Sequence, residues 1–348
     1  MSTAPPRHAR PGRRRWVRAL VVVGVLVALV GVGVVAADLA FRARYDANIE
    51  RFEDPFEALP EEQRPAPVEG EDGGVARNYL LLGSDSRISA GDASQWEFGA
   101  QRTDAIMLVH LPADRSALYV VSIPRDTWVD IPGHGEAKIN AAFSFGGPPL
   151  LVQTVEQLTG LRVDHLGVVD FEGFVAMTDA LGGVEITVPE DTGDMRAEFE
   201  AGTYRMGGEE ALSYVRQRYG LAGGDFDRVK RQQNWIRAVL SEAASRDTLT
   251  NPGRLDDFLR ATTRSISLDA GMGAGDLRSL ALELRNLRSD DMHFLTVPTD
   301  GTGRSADGQS IVVLDEAGAD ELWRAATEEQ MPEYVATHAD DLLGDEVS

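Results

Sequence analysis

The feature that most limits how this chain can be arranged is "ALVVVGVLVALVGVGVVAA", Ala19 to Ala37, a run without a charged residue. As a helix it spans roughly 28 Å at about 1.5 Å per residue, close to the hydrocarbon thickness of a bilayer. Arg7, Arg10, Arg13, Arg14, Arg15 and Arg18 precede it and Asp38 follows, an asymmetry that places the N-terminus on the cytoplasmic side. The run is long for a cleaved signal peptide and lacks a small-residue cleavage site. The expected order is a basic cytoplasmic tail (1–18), one transmembrane helix (19–37) and an extracytoplasmic remainder in a single-pass membrane protein.

Residues 38–76 turn Pro-, Glu- and Gly-rich and read as a stalk, and 331–348 read as a frayed acidic tail. Between them, residues 77–330 alternate short apolar runs with helical patterns. "NYLLLG", "DAIMLVHLP" and "SALYVVSIP" read as strands, the last two joined as a hairpin through "PADRS". "PPLLVQTVEQLTG" carries helix start and stop signals, and a strand and helix follow, closed by Gly182-Gly183. Further helices are expected at "GGEEALSYVRQ", near Arg228 to Ala244 and around 253–288, with strands at "VEITVP" and "MHFLTVP" and a strand-helix pair from Ile311 to Thr327. The pattern predicts an α/β layered domain, with helices on both faces of a mixed central sheet.

Composition removes several functions. Without cysteine there is no disulfide, thiolate metal site or cysteine nucleophile. A formal net charge of -22 repels polyanions, which argues against nucleic acid as a partner. His8, His110, His134, His165 and His293 show no metal-type spacing. "GMGAGD" lacks the K-[ST] of a nucleotide loop, and no G-x-S-x-G elbow is present.

If the first and third strands run parallel and the second antiparallel, Asp85, Asp104 and Arg125 fall at one edge of the sheet, with Arg102 beside them. Such an edge is where α/β sheets place ligands. Two neighbouring carboxylates repel unless a cation sits between them, and a hard divalent ion suits oxygen donors. The alternative is structural, with Asp85 capping a turn and Asp104 pairing with an arginine. Lys138 and Asn140, in "KINAAFSFGG", either contact a sugar or fix a loop.

The acidic chain also concentrates cations in "YVRQRYGLAGGDFDRVKRQQ": Arg216, Arg218, Arg228, Lys230 and Arg231 surround Asp225 and Asp227. Arg216 and Arg218 share a face only on extended chain, so a helix is expected to end near Val215. A new helix then starts with acidic residues in its first turn and places Arg228 and Gln232 on one face. A solvated basic patch is the plain alternative. Against it, arginine predominates, and its planar fork suits bidentate phosphate binding.

"LLLGSDSR", "QRTDAIMLVHL", "VVSIPRDTWVDIP", "KINAAFSFGG", "VVDFEGFVAMTDALGGVEITVP", "ALSYVRQR" and "DFDRVKRQQ" stand in the order seen in the LytR-CpsA-Psr (LCP) family, which this chain resembles over 78–240. The resemblance implies a membrane-anchored phosphotransferase of cell-wall biogenesis. Its donor is a glycan of teichoic acid, capsule or arabinogalactan type on a polyprenyl pyrophosphate, and its acceptor is peptidoglycan. Carried over by position, Asp85 and Asp104 match the aspartates that hold magnesium (or manganese). Arg102, Arg125, Arg216, Arg218 and Arg228 match the pyrophosphate-binding arginines, and Asp225 and Gln232 match further polar positions. Val129 departs from relatives that have an arginine there. Val168, Phe171, Phe174 and Val188 are candidates for the lipid groove and equally for plain core. Two other activities stay open: a non-catalytic sensor of polyprenyl lipids, and a polyprenyl-pyrophosphate hydrolase.

Overall fold

In a computed structural model, which describes residues 43–71, 73–84, 103–194, 197–217, 221, 223–284, 287–344 and 347, the apolar runs condense into one central sheet. Along the chain come β1 (Glu50–Phe52), β2 (Arg77–Ser84), β3 (Thr103–Leu111), β4 (Leu118–Ile123), the hairpin β5 (Trp128–Ile131) and β6 (Gly135–Lys138), and helix α1 (Asn140–Thr159). Next are β7 (His165–Asp170), α2 (Phe171–Ala180), β8 (Val184–Val188), the short pair β9 (Thr192–Gly193) and β10 (Glu198–Phe199), and β11 (Gly202–Met206). Helices α3 (Gly208–Arg216), α4 (Asp225–Ala243) and α5 (Pro252–Ser265) precede β12 (Ile266–Asp269), α6 (Ala274–Leu284) and β13 (Met292–Thr296). The hairpin β14 (Thr299–Arg304) and β15 (Ser310–Leu314) and helices α7 (Glu316–Thr327) and α8 (Met331–Thr337) complete the order.

Seven of these strands form the sheet, in the order β1-β12-β7-β2-β3-β4-β13. β3 is antiparallel to both β2 and β4, whereas β2 pairs parallel with β7 and β4 with β13. The expected mixed sheet is therefore present, and β2, β4, β7 and β13 all end at the same edge. Alternation along the strands feeds two cores. Leu80, Leu82, Leu108, Val121 and Ile123 pack with Leu151, Val155 and Trp323 on one face. Tyr79, Met107, Val109 and Val120 pack with Leu240, Leu259 and Leu277 on the other. Period-two alternation with apolar residues at both phases is what a sheet covered on both sides requires.

α1 begins earlier than expected. Its first turns run from Asn140, break at Gly146 and Gly147 (φ 65°, ψ -159°), and resume at Pro148. Proline at the head of the resumed helix lacks an N–H that would have no partner there. Gly147 occupies a backbone region that side chains other than glycine rarely enter.

Two segments read as linker and tail are instead built into the body. Within 38–76, β1 joins the sheet edge through β12, and Phe52 is buried. Arg64 and Glu156 form a buried ion pair at 2.7 Å. Within 331–348, Met331 and Tyr334 are buried, Leu343 N–H donates to Phe294 O at 2.8 Å, and Leu342 bridges Leu295. Polar composition made both stretches look solvated, but their few apolar residues find the core. Among the described residues no helix is long and apolar enough to cross a membrane, and Ala19–Ala37 lies outside them.

Candidate functional site

The common edge collects Ser84 at the end of β2, Thr103 and Asp104 at the start of β3, Pro124 and Arg125 just past β4, Asp170 at the end of β7 and Thr296 at the end of β13. The β2–β3 register slips here: Gly83 faces Ala105 but Ser84 faces Thr103, leaving Asp104 as the extra residue of a bulge. Bulges interrupt a ladder and recur beside functional sites. Asp85 and Arg102 lie outside the described residues, as does the side chain of Asp104. Asp170 is engaged locally, capping α2 by accepting from Gly173 N–H at 2.7 Å.

Arg125 sits on a turn held from three sides. Thr127 closes it by donating its N–H and hydroxyl to Pro124 O at 2.9 and 2.6 Å. Asn140 N–H donates to Arg125 O at 3.2 Å, and Val312 N–H to Asp126 O at 2.9 Å. Lys138 Nζ lies 3.2 Å from Asp126 Oδ1, with Arg125 Nε 4.0 Å from the other carboxylate oxygen. Lys138 thus helps fix the loop through its side chain, and Asn140 through its backbone N–H. Lys138 offsets Asp126, a carboxylate that would otherwise compete for Arg125. Val129 is buried in the main core, so it adds no further cation to this edge.

The cationic segment spans the end of α3 and the start of α4. α3 runs through Arg216, one residue beyond the expected end near Val215, and Gln217 leaves the helix (φ -59°, ψ 133°). Gln217 is 1 % exposed and points inward. Arg218 lies outside the described residues. After Gly224 (φ 59°), α4 opens with Asp225 and Asp227 in its first turn, where carboxylates oppose the positive end of the helix dipole. Gly223 N–H donates to Asp227 Oδ2 at 2.6 Å, and a Cβ on Gly223 would lie 2.5 Å from Asp227 Oδ1, so a larger residue there would displace this carboxylate.

Arg228 is 2 % exposed, and its Nη2 lies 2.7 Å from Asp225 Oδ1. A cation so buried is costly unless paired. Asp225 Oδ2 is buried too, with no hydrogen-bond partner among the described residues. Gln232, half-buried, follows Arg228 by one turn. Gln233 locks this helix to the edge: its Nε2 lies 2.8 Å from Ser122 Oγ, 2.5 Å from Leu295 O and 3.3 Å from Thr296 Oγ1. Ser122 stands three residues before Arg125, so one side chain couples the two arginine-bearing elements.

Over residues 54–328 the chain matches the LytR_cpsA_psr family. The chain belongs to this family. It is 36 % identical over 281 residues to the cell wall biosynthesis protein LcpA of Corynebacterium glutamicum, covering 69 % of this chain and 53 % of that one. It is 39 % identical over 254 residues to the probable cell wall biosynthesis protein LcpB of the same organism, covering 71 % and 60 %. The chain therefore spans only a little over half the length of these LCP relatives. Its fold is similar to that of Bacillus subtilis TagV, with a TM-score of 0.61 at 25 % identity, covering 74 % of this chain and 97 % of that one. It is also similar to TagT solved bound to LI-WTA, with a TM-score of 0.59 at 24 % identity, covering 82 % and 99 %.

Among the lipid-groove candidates, Val168 and Val188 are buried, and the Phe174 ring stacks on Trp235 with centroids 3.8 Å apart. The Phe171 side chain lies outside the described residues. Cavities of about 220 and 410 Å³ are lined by other residues, around Arg64 and around Asp46. No group of three or more metal-type side chains occurs among the described residues.

Arg231, one cation among several in the sequence and given no role there, is buried by the structure against Tyr214 and Gln217. The signal that could have found it is an arginine where a helix facing the core should be apolar.

Proposed function

We propose that this protein is a phosphotransferase that moves a glycopolymer from a polyprenyl-pyrophosphate carrier onto peptidoglycan, at the outer face of a membrane it spans once through Ala19–Ala37. The observation that carries the reading is the place of Arg125, just past β4 at the edge that also holds the Asp104 bulge, together with Arg228 on α4, the helix that Gln233 fastens to that edge. The family membership and the cell-wall names of the relatives support it.

A pyrophosphate needs cations held in place before it arrives, because phosphoryl transfer asks a protein chiefly for positioning and charge stabilisation. Arg102, Arg125, Arg216, Arg218 and Arg228 are assigned to its oxygens, with Gln232 as a neutral donor. A sugar hydroxyl of the acceptor attacks the glycan-linked phosphorus. The P–O bond to the bridging oxygen breaks, and polyprenyl phosphate leaves with that electron pair. Asp225, held by Arg228, or a neighbouring carboxylate orients or deprotonates that hydroxyl. Asp85 and Asp104 offer only oxygen donors, which fit magnesium or manganese; when bound, such an ion neutralises charge on the phosphate oxygens.

The test supplies purified full-length protein with a polyprenyl-pyrophosphate oligosaccharide, magnesium and peptidoglycan oligomers. Transfer requires polyprenyl phosphate release that depends on the acceptor. Release that is indifferent to the acceptor would make the protein a hydrolase, and lipid binding without turnover would make it a sensor.

A further inference from the structure

Arg231 does not belong to the set of arginines assigned above to the pyrophosphate, yet it is among the most deeply buried large side chains in the protein, at 1 % exposure. Its guanidinium lies 4.3 Å over the ring centroid of Tyr214. Nη1 donates to Gln217 Oε1 at 2.7 Å and reaches Tyr214 O at 3.5 Å, and Nη2 donates to Thr192 Oγ1 at 3.2 Å. Gln217 Nε2 in turn donates to the same Thr192 hydroxyl oxygen at 2.7 Å. The three side chains form a closed triangle.

The place of Gln217 gives this triangle its meaning. Gln217 separates Arg216 from Arg218 at the point where α3 gives way to extended chain. Its fixed side chain anchors the backbone one residue past Arg216, at the end of α3. The hydrogen bonds at Gln217 therefore fix the helix end that carries Arg216. A helix end is otherwise a poor place to hold a fixed geometry, because it frays. The packing behind it is close: Tyr214 is fully buried, with the Phe199 ring edge-on at 5.8 Å and its hydroxyl donating to Val347 O at 3.3 Å.

An apolar residue would fill this space at least as stably, since burying a cation costs desolvation. Burial does push the pKa of the Arg231 guanidinium down from its ordinary value. What an apolar residue lacks is a fork that engages Gln217 and Thr192 at once from over an aromatic face. We propose that Arg231 is a positioning residue for the anion site: it holds Gln217 and Tyr214 O, and through them it fixes the end of α3 that carries Arg216. This inference rests on the reading of the site as a pyrophosphate site.

Titration calorimetry of the purified full-length protein with inorganic pyrophosphate, in the presence of magnesium, tests it through Arg231→Lys, Gln217→Met and the double variant. Arg231→Lys keeps the charge and loses the fork. Gln217→Met keeps the volume and loses both bonds. Each single variant, folded by circular dichroism, is expected to weaken pyrophosphate binding about tenfold, and the double variant no more than either alone, because groups acting as one unit are not additive. Wild-type affinity in either folded variant overturns the inference. Additive losses overturn it as well, since they would mean that Arg231 meets the ligand directly. No pyrophosphate binding by the unmodified protein removes the underlying reading and this inference together. Should Arg231→Lys fail to fold, Gln217→Met alone decides, because it leaves the guanidinium stack in place.

Discussion

Replacing Glu156 by alanine should destabilise the protein measurably although the residue is far from the arginine edge in sequence. The Glu156 carboxylate accepts from Arg64 Nη2 at 2.7 Å, from Arg64 Nε at 3.1 and 3.3 Å, and from Val163 N–H at 2.9 Å. The two side chains are 7 % and 4 % exposed, so solvent screens the pair little. Removing one member of a buried pair costs about 3–5 kcal/mol, because the other charge is left uncompensated. Arg64 retains a bond to Val163 O at 2.6 Å and its position 4.7 Å over the Phe56 ring, which places the loss at the lower end, about 3 kcal/mol. At about 2 °C per kcal/mol for a domain of this size, the melting temperature should fall by roughly 6 °C. Differential scanning calorimetry of Glu156→Ala gives the number. An Arg64→Met/Glu156→Leu pair should recover most of it, since apolar replacement of a buried pair is often neutral. A drop below about 1 °C, far less than a broken buried ion pair costs, would refute the claim that Leu59 to Pro65 is part of the folded body and return it to a linker.

Three further outcomes follow from the structure. Burial holds the His110 imidazole down at about 4, against an ordinary value of 6.5; the unfolded chain therefore binds the extra proton between those values, and stability is full above the upper one and falls as pH drops toward the lower. Denaturant titrations at about pH 7 and about pH 5 should show His110→Phe losing part of the acid sensitivity of the unmodified protein, and an unchanged pH slope would contradict this. Gln233→Leu leaves Leu295 O and Ser122 Oγ without their donor and should cost about 1–3 kcal/mol, lowering turnover as well because α4 is no longer fastened beside Arg125; loss of stability with full turnover would sever that link. Arg125→Lys, which keeps charge but not the planar fork, should reduce transfer about tenfold or more, read as polyprenyl phosphate released per minute.

Much of the sheet was legible because buried strands are written as unbroken apolar runs. β2, β3 and β4 are bounded by Gly83, Pro112 and Pro124, which leaves their runs too short for helices, and their directions alone carried Asp104 and Arg125 to one edge. β1 and β12 were illegible for the converse reason: they have three and four residues, and each exists only through its neighbour in the sheet. The ends of the domain were misread because Arg64 finds Glu156 across 92 positions, a distance no local pattern reports. The place of Arg231 was hidden in the same way. Its charge was visible, but Gln217 and Thr192, 14 and 39 positions away, are what turn a charge into a brace.

The most direct trial is a crystal structure of the protein soaked with a short-chain polyprenyl pyrophosphate and magnesium. Both phosphates should lie within hydrogen-bonding distance of Arg125, Arg216, Arg218 and Arg228, with the metal on Asp85 and Asp104. A pyrophosphate seated elsewhere, or an ordered lipid whose phosphates touch none of these arginines, would contradict the assignment.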